Sequence, residues 1–185
     1  YPGKMMQKES YDMISREICR RVLHKAVSTG ADYAEVFAEY TRSKNISVVA
    51  GKTDKIGDSV ISGVGIRIFK GTRCVTGSAS SLEPEAILNC AVKVADAMSD
   101  SVLVEALVLR ERLFGDIHPV KIVPASVENS YKIDYIREAC QAAKDYHEEI
   151  SQVTGAFMEF DHNILIATSE GLFAQDRQIR TRVRV

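Results

Sequence analysis

The chain has 185 residues, of which 45% are hydrophobic and 26% are charged. These proportions are ordinary for a globular protein, and they exclude a disordered, collagen-like or fibrous chain. On folding, a chain of this length buries roughly 70% of the surface that its unfolded form exposes. That is enough for a stable hydrophobic core without disulfides or a structural metal. With 24 Lys and Arg against 25 Asp and Glu, the net charge is −1. This balance provides no global basic field to hold nucleic acid or an anionic membrane.

The chain carries no membrane or secretion signal. Its longest apolar runs, such as 164–167, fall far short of the roughly 20 residues that a membrane span needs. No charged and apolar leader precedes a cleavage site. We therefore expect a cytoplasmic protein without a membrane partner, and we expect residues 1–8 to be a disordered lead or a remnant of expression. No CxxC spacing occurs, so we expect reduced, mostly buried thiols at Cys19, Cys74, Cys90 and Cys140.

The first half of the chain predicts two helices around a block of strands. Apolar residues three or four apart indicate a helix over 9–28. Alternating apolar residues and turn signals then indicate an antiparallel meander of four or five short strands within 32–79. The predicted strands are 33–40, 45–50, 54–61, 64–68 and 74–79. A second helix is predicted over 82–98, with Pro84 in its first turn.

The second half predicts one more helix and further strands. Apolar residues show no regular spacing over 100–128. Pro119 and Pro124 bracket an extended segment, which suggests a domain boundary there. A third helix is predicted over 131–148, followed by strands at 153–160 and 164–168 with a turn at 161–163. A last strand at 178–185 runs to the final residue, so we expect a truncated domain with an exposed edge there.

Together these elements predict an α+β fold in which helices pack on one face of an antiparallel sheet. We expect an N-terminal α+β domain over 9–118. The start of a second, incomplete α+β unit would occupy 119–185.

The motifs that carry chemistry are incomplete. His147-Glu148-Glu149 begins like a zinc-protease helix, but Ser151 and Gln152 cannot supply the second imidazole. Gly63 and Gly65 resemble a dinucleotide fingerprint that lacks its third glycine, and they favour a close backbone approach instead. The histidines lack ligand spacing and the serines lack a nucleophile elbow. These residues are His24, His118, His147 and His162, and Ser78, Ser80 and Ser81.

Arginines concentrate in the last strand. Arg180, Arg182 and Arg184 alternate along it, and Arg177 precedes them. Three of these four side chains share one strand face. The row is typical of a solvated or salt-bridged surface, with a surface for a peptide or partner as the alternative. A nucleic-acid surface would also need interleaved aromatic residues.

Several segments taken in order resemble a known family. They are residues 31–39, 46–52, 62–68, 76–80 and the helix opening at 82–86. This order resembles the N-terminal region of the TldD/PmbA family, also called the modulator of DNA gyrase family, and the GVGIRI strand at 63–68 is its most specific piece. Residues 164–172 are similar to the family's next segment. The arginine-rich ending at 176–185 resembles the TldD branch. The resemblance covers 9–185.

The resemblance implies a TldD-type zinc metallopeptidase that processes or degrades peptides. Such proteins carry an HExxxH zinc motif in a C-terminal region that this chain does not include. We therefore expect zinc there, and we assign no catalytic, cofactor-binding or metal-binding residue here. This region would be inactive alone and would shape the substrate cavity and the dimer contacts. The resemblance implies a peptide substrate, and a homodimer or a TldD/PmbA-type heterodimer.

Two alternatives stay open. A PmbA-type partner subunit lacks the zinc motif, so the chain would then be a module that binds a peptide or a subunit without cutting. A regulator associated with DNA gyrase or nucleic acid is the more remote alternative, since the net charge of −1 disfavours it.

Overall fold

The computed structural model describes residues 13–98, 107–113 and 119–185. Their helices are α1 (Arg16–Val27), α2 (Pro84–Met98) and α3 (Asn129–Lys144). Their strands are β1 (Tyr33–Val49), β2 (Lys52–Lys70), β3 (Arg73–Ala79), β4 (Arg110–Arg112), β5 (Thr154–Thr168) and β6 (Leu172–Arg184). A single 3₁₀ turn covers Pro124–Ser126. No helix among the described residues is long and apolar enough to cross a membrane.

The six strands form one sheet in the order β3-β2-β1-β5-β6-β4. Strands β2 and β3 are antiparallel, from Val64 opposite Ala79 to Lys70 opposite Arg73. Strand β4 instead runs parallel to β6, with Arg110 opposite Leu172 and Arg112 opposite Ala174. The α+β fold class is confirmed. The sheet is mixed because of β4, which the sequence did not indicate.

The strands are longer and fewer than predicted. The predicted pieces 33–40 and 45–50 are one strand, β1, and the predicted turn at 161–163 lies inside β5. Polar residues in these segments suggested breaks between strands. In the structure they instead contact side chains of neighbouring strands. Asp161, for example, accepts two hydrogen bonds from Arg177 on the neighbouring strand, at 2.9 and 2.6 Å. The polar residue therefore joins two strands and does not turn the chain.

Two helix boundaries also differ from the prediction. Helix α1 begins at Arg16 because the Ser15 hydroxyl oxygen accepts a hydrogen bond from the Ile18 amide and caps the helix there. Residues 9–12 of the predicted helix lie outside the described residues. Helix α3 runs Asn129–Lys144, so it starts and ends earlier than predicted. The Asp145 amide donates to Gln141 and Ala143 in the closing turn.

Contacts group the chain into two units. The first takes its described residues from 13–39, 62–98, 107–113 and 163–175, and the second takes them from 40–61, 119–162 and 176–185. The predicted domain boundary between 118 and 119 stays a prediction.

The first unit packs α1 and α2 on one face of its strands. Buried residues at alternate strand positions share one cluster with both helices. In β1 these are Ala34, Val36 and Ala38, and in β2 they are Val64, Ile66 and Ile68. This alternation is the expected signature of a sheet with one buried face. A reciprocal pair of hydrogen bonds ties β1 to the β5–β6 turn. The Ser169 hydroxyl accepts from the Ala34 amide at 2.9 Å, and the Ser169 amide donates to the Ala34 carbonyl at 2.8 Å.

Polar side chains lie on the other face of the first unit. The Glu35 carboxylate accepts a hydrogen bond from the Tyr33 hydroxyl at 3.0 Å and lies 3.0 Å from the Arg67 guanidinium. Burial raises the pKa of Tyr33 to about 12, and the Glu35 hydrogen bond adds to the rise.

The second unit has a smaller core beneath α3. Ile136 and Cys140 of the helix pack against Ile46 and Val48 of β1. Gly155 of β5 permits this approach, because an added Cβ would lie 2.5 Å from the Cys140 sulfur. Gly63 shows a similar restriction in the first unit, where an added Cβ would lie 2.9 Å from the Ala79 carbonyl oxygen. The close approach predicted for the Gly63 segment is therefore confirmed.

Candidate functional site

A groove of about 400 Å³ opens beside α3 in the second unit. It is formed by the segment around the 3₁₀ turn, by one side of α3, and by β5 and β6. Most of its lining is apolar or aromatic. The lining residues are Ile122, Pro124, Val127, Tyr131, Lys132, Tyr135, Phe157, Thr181 and Val183.

Two tyrosines on α3 form the accessible side of the groove. Tyr131 and Tyr135 are four residues apart, so they lie on the same side of the helix. Their side chains are 70% and 58% exposed, whereas Ile136 is fully buried beneath the helix. A phenol ring offers a large apolar contact area and a polar tip, which is the combination found at binding surfaces. Helix α3 therefore buries one side in the core and leaves the tyrosine side accessible.

A buried ion pair lies next to the groove. The Lys132 ammonium is 2.7 Å from a Glu159 carboxylate oxygen, and Lys132 is only 3% exposed. The same ammonium lies 5.7 Å from the centre of the Phe157 ring. Because Glu159 already compensates the charge of Lys132, the groove offers no free cation to an acidic ligand at this point. We infer that apolar side chains suit the groove best.

Strand β6 presents two chemically different faces. Thr181 and Val183 line the groove on the α3 side. Because side chains alternate along a strand, Arg180, Arg182 and Arg184 lie on the opposite face. All three arginines are exposed. Arg177 does not belong to this row. Its guanidinium lies on the α3 side and donates two hydrogen bonds to the Asp161 carboxylate. The three predicted arginines on one face are thus confirmed.

Among the described residues, the outer edge of β6 pairs with another strand only at its start. Strand β4 pairs with Leu172–Ala174, and no other described residue pairs with β6 on that side. On the inner side β6 adjoins β5 as far as Arg184, whose carbonyl oxygen would lie 3.8 Å from a Cβ added at Gly155. The exposed edge predicted for 178–185 stays a prediction.

The other candidate residues lie apart from one another. His24 is exposed on α1, His162 lies within β5, and His118 falls outside the described residues. His147 lies beyond the end of α3, so the sequence His147-Glu148-Glu149 is not helical, as a zinc-protease motif would require. Ser78 lies in β3, while Ser80 and Ser81 connect β3 to α2. In residues 13–98, 107–113 and 119–185, no group of three or more metal-ligating side chains could hold an ion. This chain therefore offers no built zinc site in its described part.

The thiols divide into one exposed and three buried groups. Cys74 is exposed, whereas Cys19, Cys90 and Cys140 are buried and all four are free. Burial raises the pKa of the Cys19 thiol to about 12 and also raises the pKa of Cys90 and Cys140. The expectation of reduced, mostly buried thiols is confirmed by these positions. A protonated buried thiol is a poor nucleophile, so none of the three is a suitable catalytic group.

Two family models match the sequence in chain order. PmbA/TldA metallopeptidase domain 1 matches residues 34–98, and the PmbA/TldA metallopeptidase central domain matches residues 122–185. Together they cover well over half of the chain. No curated protein sequence matches it significantly.

Solved structures show the same fold. A candidate modulator of a DNA gyrase from Thermotoga maritima has a TM-score of 0.70 at 18% identity, over 90% of this chain and 38% of its own. A candidate modulator of DNA gyrase from Bacteroides thetaiotaomicron has a TM-score of 0.66 at 15% identity, over 90% of this chain and 39% of its own. TldE from Thermococcus kodakarensis has a TM-score of 0.59 at 19% identity, over 83% of this chain and 35% of its own.

The chain thus spans less than two-fifths of the length of these solved proteins. Both matched domains and the shared fold place it at the N-terminal side of the family's architecture. The chain belongs to the PmbA/TldD family and represents its N-terminal region.

Proposed function

We propose that this chain is the non-catalytic N-terminal region of a TldD-like, zinc-dependent metallopeptidase that processes or degrades peptides. The observation that carries the proposal is the match, in order, to two domains of a metallopeptidase family. The apolar groove beside α3 supports a role in holding peptides. The same region would contribute to the substrate cavity and to contacts between cytoplasmic subunits, in a homodimer or a heterodimer.

Zinc would be held elsewhere in the parent protein. No three-residue ligand group occurs in the described part of this chain, and we expect its residues to supply no step of metal chemistry. Their part would be to bind and orient a peptide so that another region can cut it. Orientation matters because reacting groups held in position react far faster than free ones.

The test uses the purified 185-residue chain. We expect zinc well below one equivalent by metal analysis, no cleavage of an unstructured peptide pool, and measurable binding of that fluorescent pool by anisotropy. Stoichiometric zinc, cleavage, or a complete lack of peptide binding would each contradict the proposal.

A PmbA-type partner subunit is the second candidate, and the structural similarity to TldE favours it. In that case the chain would hold a peptide or a subunit without belonging to a cutting protein. The gene sequence beyond the codon for Val185 separates the two: an HExxxH motif supports the peptidase and its absence supports the partner.

The names of two similar proteins raise a link to DNA gyrase. A net charge of −1 predicts no binding of duplex DNA at physiological salt. A salt titration of DNA binding tests this directly. Tight binding that persists at physiological salt would favour a nucleic-acid role over a peptide role.

A further inference from the structure

We infer that the outer edge of β3 pairs in antiparallel fashion with the same edge of a second copy of this chain, about a two-fold axis at Thr76. This inference rests on the proposed function only in its expectation of subunit contacts, and it names the surface that makes them. It follows from three features of the first unit: the place of β3 in the sheet, the direction of its backbone groups and the side chains along its edge.

Strand β3 is the end strand of the sheet. It pairs with β2 over its whole length, and no described residue pairs with its other side. Cys74, Thr76 and Ser78 are exposed, and no turn or loop backbone in the described chain bonds to β3. An edge of this kind presents a row of amide and carbonyl groups to another strand.

The pairing with β2 fixes which backbone groups of β3 point outward. A two-residue turn joins the two strands, so Lys70 and Arg73 form the first hydrogen-bonded pair of the ladder. Hydrogen-bonded pairs alternate along an antiparallel ladder, so every second residue from Arg73 bonds to β2. The amide and carbonyl groups of Cys74, Thr76 and Ser78 therefore point away from the sheet.

These outward groups match a second copy of the same edge in one register. When Thr76 lies opposite Thr76 of the second copy, Cys74 lies opposite Ser78 and Ser78 lies opposite Cys74. Each of the three residues offers one amide and one carbonyl, so every outward group of both edges gains a partner. Any other antiparallel register places Cys74 or Ser78 beyond the end of the facing strand. The backbone alone therefore selects a two-fold axis at Thr76.

The side chains along this edge favour self-pairing. Residues 74–79 include no charged residue and no proline, which are the devices that keep sheet edges from pairing. Arg73, the one charged residue of β3, would face Ala79 of the second copy and not another arginine. The part of β2 that extends past β3 is different, because it carries charges at Lys52, Asp54, Lys55 and Asp58. Of these two edge segments, only β3 lacks protection against pairing.

Helix α2, which packs over β3, leaves space for the second copy. A Cβ added at Gly77 of β3 would lie 3.2 Å from the Cys90 sulfur, so Cys90 lies on the β3 side of the helix. Ala86 and Ala97 precede and follow Cys90 by four and seven residues, so they share its side of the helix. Their short side chains limit the bulk of α2 beside the edge. A facing strand can therefore approach β3 with its own α2 alongside.

Sedimentation velocity of the 185-residue chain, from about 5 to about 500 μM, tests the association. We expect a reversible equilibrium between monomer and dimer that stops at the dimer, because each copy has then used its β3 edge. Thr76→Lys places two like charges across the axis and should weaken the association at least about tenfold. Thr53→Lys, an equally exposed change in β2, should leave it unaltered. Circular dichroism verifies the folding of both variants.

Cross-linking tests the register without a disruptive charge. The background is Cys74→Ser, in which the remaining thiols are buried. Thr76→Cys would place two thiols on facing residues, whose Cα atoms lie about 5.5 Å apart. Ser78→Cys would place them four residues apart along the strands, at about 14 Å. A bifunctional maleimide with a linker shorter than that distance should join Thr76→Cys chains at least about tenfold faster than Ser78→Cys chains.

The outcomes separate this inference from the function on which it rests. A chain that stays monomeric at every concentration, or a dimer that Thr76→Lys leaves intact, would overturn the inference. Equal cross-linking of the two cysteine variants would overturn the two-fold pairing at Thr76. Oligomers that keep growing with concentration would also overturn it, since this pairing closes at two copies. The proposed function fails on different measurements, because peptide binding, zinc content and cleavage are measured whatever the oligomeric state.

Discussion

Gly155 of β5 lies directly beneath Cys140 of α3, so closely that a Cβ added at position 155 would be 2.5 Å from the cysteine sulfur. The same Cβ would also overlap the Cγ2 atom of Ile136. Gly77 of β3 repeats this relation in the first unit, where an added Cβ would overlap Val94 and lie 3.2 Å from the Cys90 sulfur. In each unit a strand glycine lets a helix with a cysteine approach the sheet.

Gly155→Ala is therefore expected to destabilise the protein by about 1–3 kcal/mol, because overpacking forces the helix and strand apart. Urea denaturation measures the change. Gly57→Ala is the matched control, since its Cβ would meet only the Lys55 Cε atom at 3.8 Å. It should change the stability by less than about 0.5 kcal/mol. Equal stability of the two variants would contradict the packing described here, and adding Cys140→Ala should recover part of the loss.

The Lys132–Glu159 pair predicts an asymmetric response to substitution. Lys132→Met leaves the buried Glu159 carboxylate without its cation, and a loss of about 3–5 kcal/mol is expected. The double variant Lys132→Met and Glu159→Gln should lose less, because neither residue then carries a charge. Arg137→Met removes the exposed pair with Asp134, at 3.5 Å on the same helix, and should cost under about 1 kcal/mol. Thermal unfolding ranks the stability of the three variants. If Lys132→Met is as stable as the double variant, Lys132 and Glu159 are not coupled.

The four thiols are expected to react unequally. In the native state Cys74 should react rapidly with an aromatic disulfide reagent, whereas Cys19, Cys90 and Cys140 should be protected. Burial both blocks access and raises the pKa of these three thiols, which reduces the reactive thiolate. Cys74→Ser should remove the fast phase, and denaturant should expose the remaining three. More than one rapid equivalent in the native wild type would contradict the burial of the other three thiols.

Stability should also fall at high pH through Tyr33. The pKa of Tyr33 is raised from 10.0 to about 12 in the folded protein. As the pH rises, the unfolded chain therefore loses the Tyr33 proton before the folded protein does. The contribution of Tyr33 to the free energy of unfolding is complete below pH 10 and is lost between about pH 10 and 12. Tyr33→Phe should flatten the decline of stability over this range and remove a component near pH 12 from the tyrosinate absorbance titration. Tyr146→Phe, which changes an exposed ring, should leave that component in place.

The sequence predicts the helices and the alternating burial of side chains along the strands, because both depend on the spacing of apolar residues within one segment. The buried stripe of α2 and the alternating burial of Ala34, Val36 and Ala38 follow directly from those periods. The merging of short strands into β1 and β5 was missed, because a polar residue such as Asp161 resembles a turn until its partner Arg177 is known. Strand β4 has only three residues, all exposed, and carries no periodic signal.

The candidate site was predicted only in part. The arginine row and the exposed last strand were visible, since both are patterns within one segment. The groove was not, because its lining extends from Ile122 to Val183 and is assembled by tertiary contact. The spacing of Tyr131 and Tyr135, one helical turn apart on a side away from the apolar stripe, was the available signal. It indicates a surface but not the strand that lies beside it.

The reciprocal bonds between Ala34 and Ser169 have a consequence for the order in which the chain folds. They join residues 135 positions apart, and the first core also takes Leu165, Ala167 and Phe173 from the last two strands. A nascent chain cannot close that core until β5 and the start of β6 have left the ribosome. Until then, β1 has an open side where β5 will pair, and contacts this distant in sequence form slowly. Synthesis of β5 and the start of β6 therefore sets the earliest moment at which the first core can close.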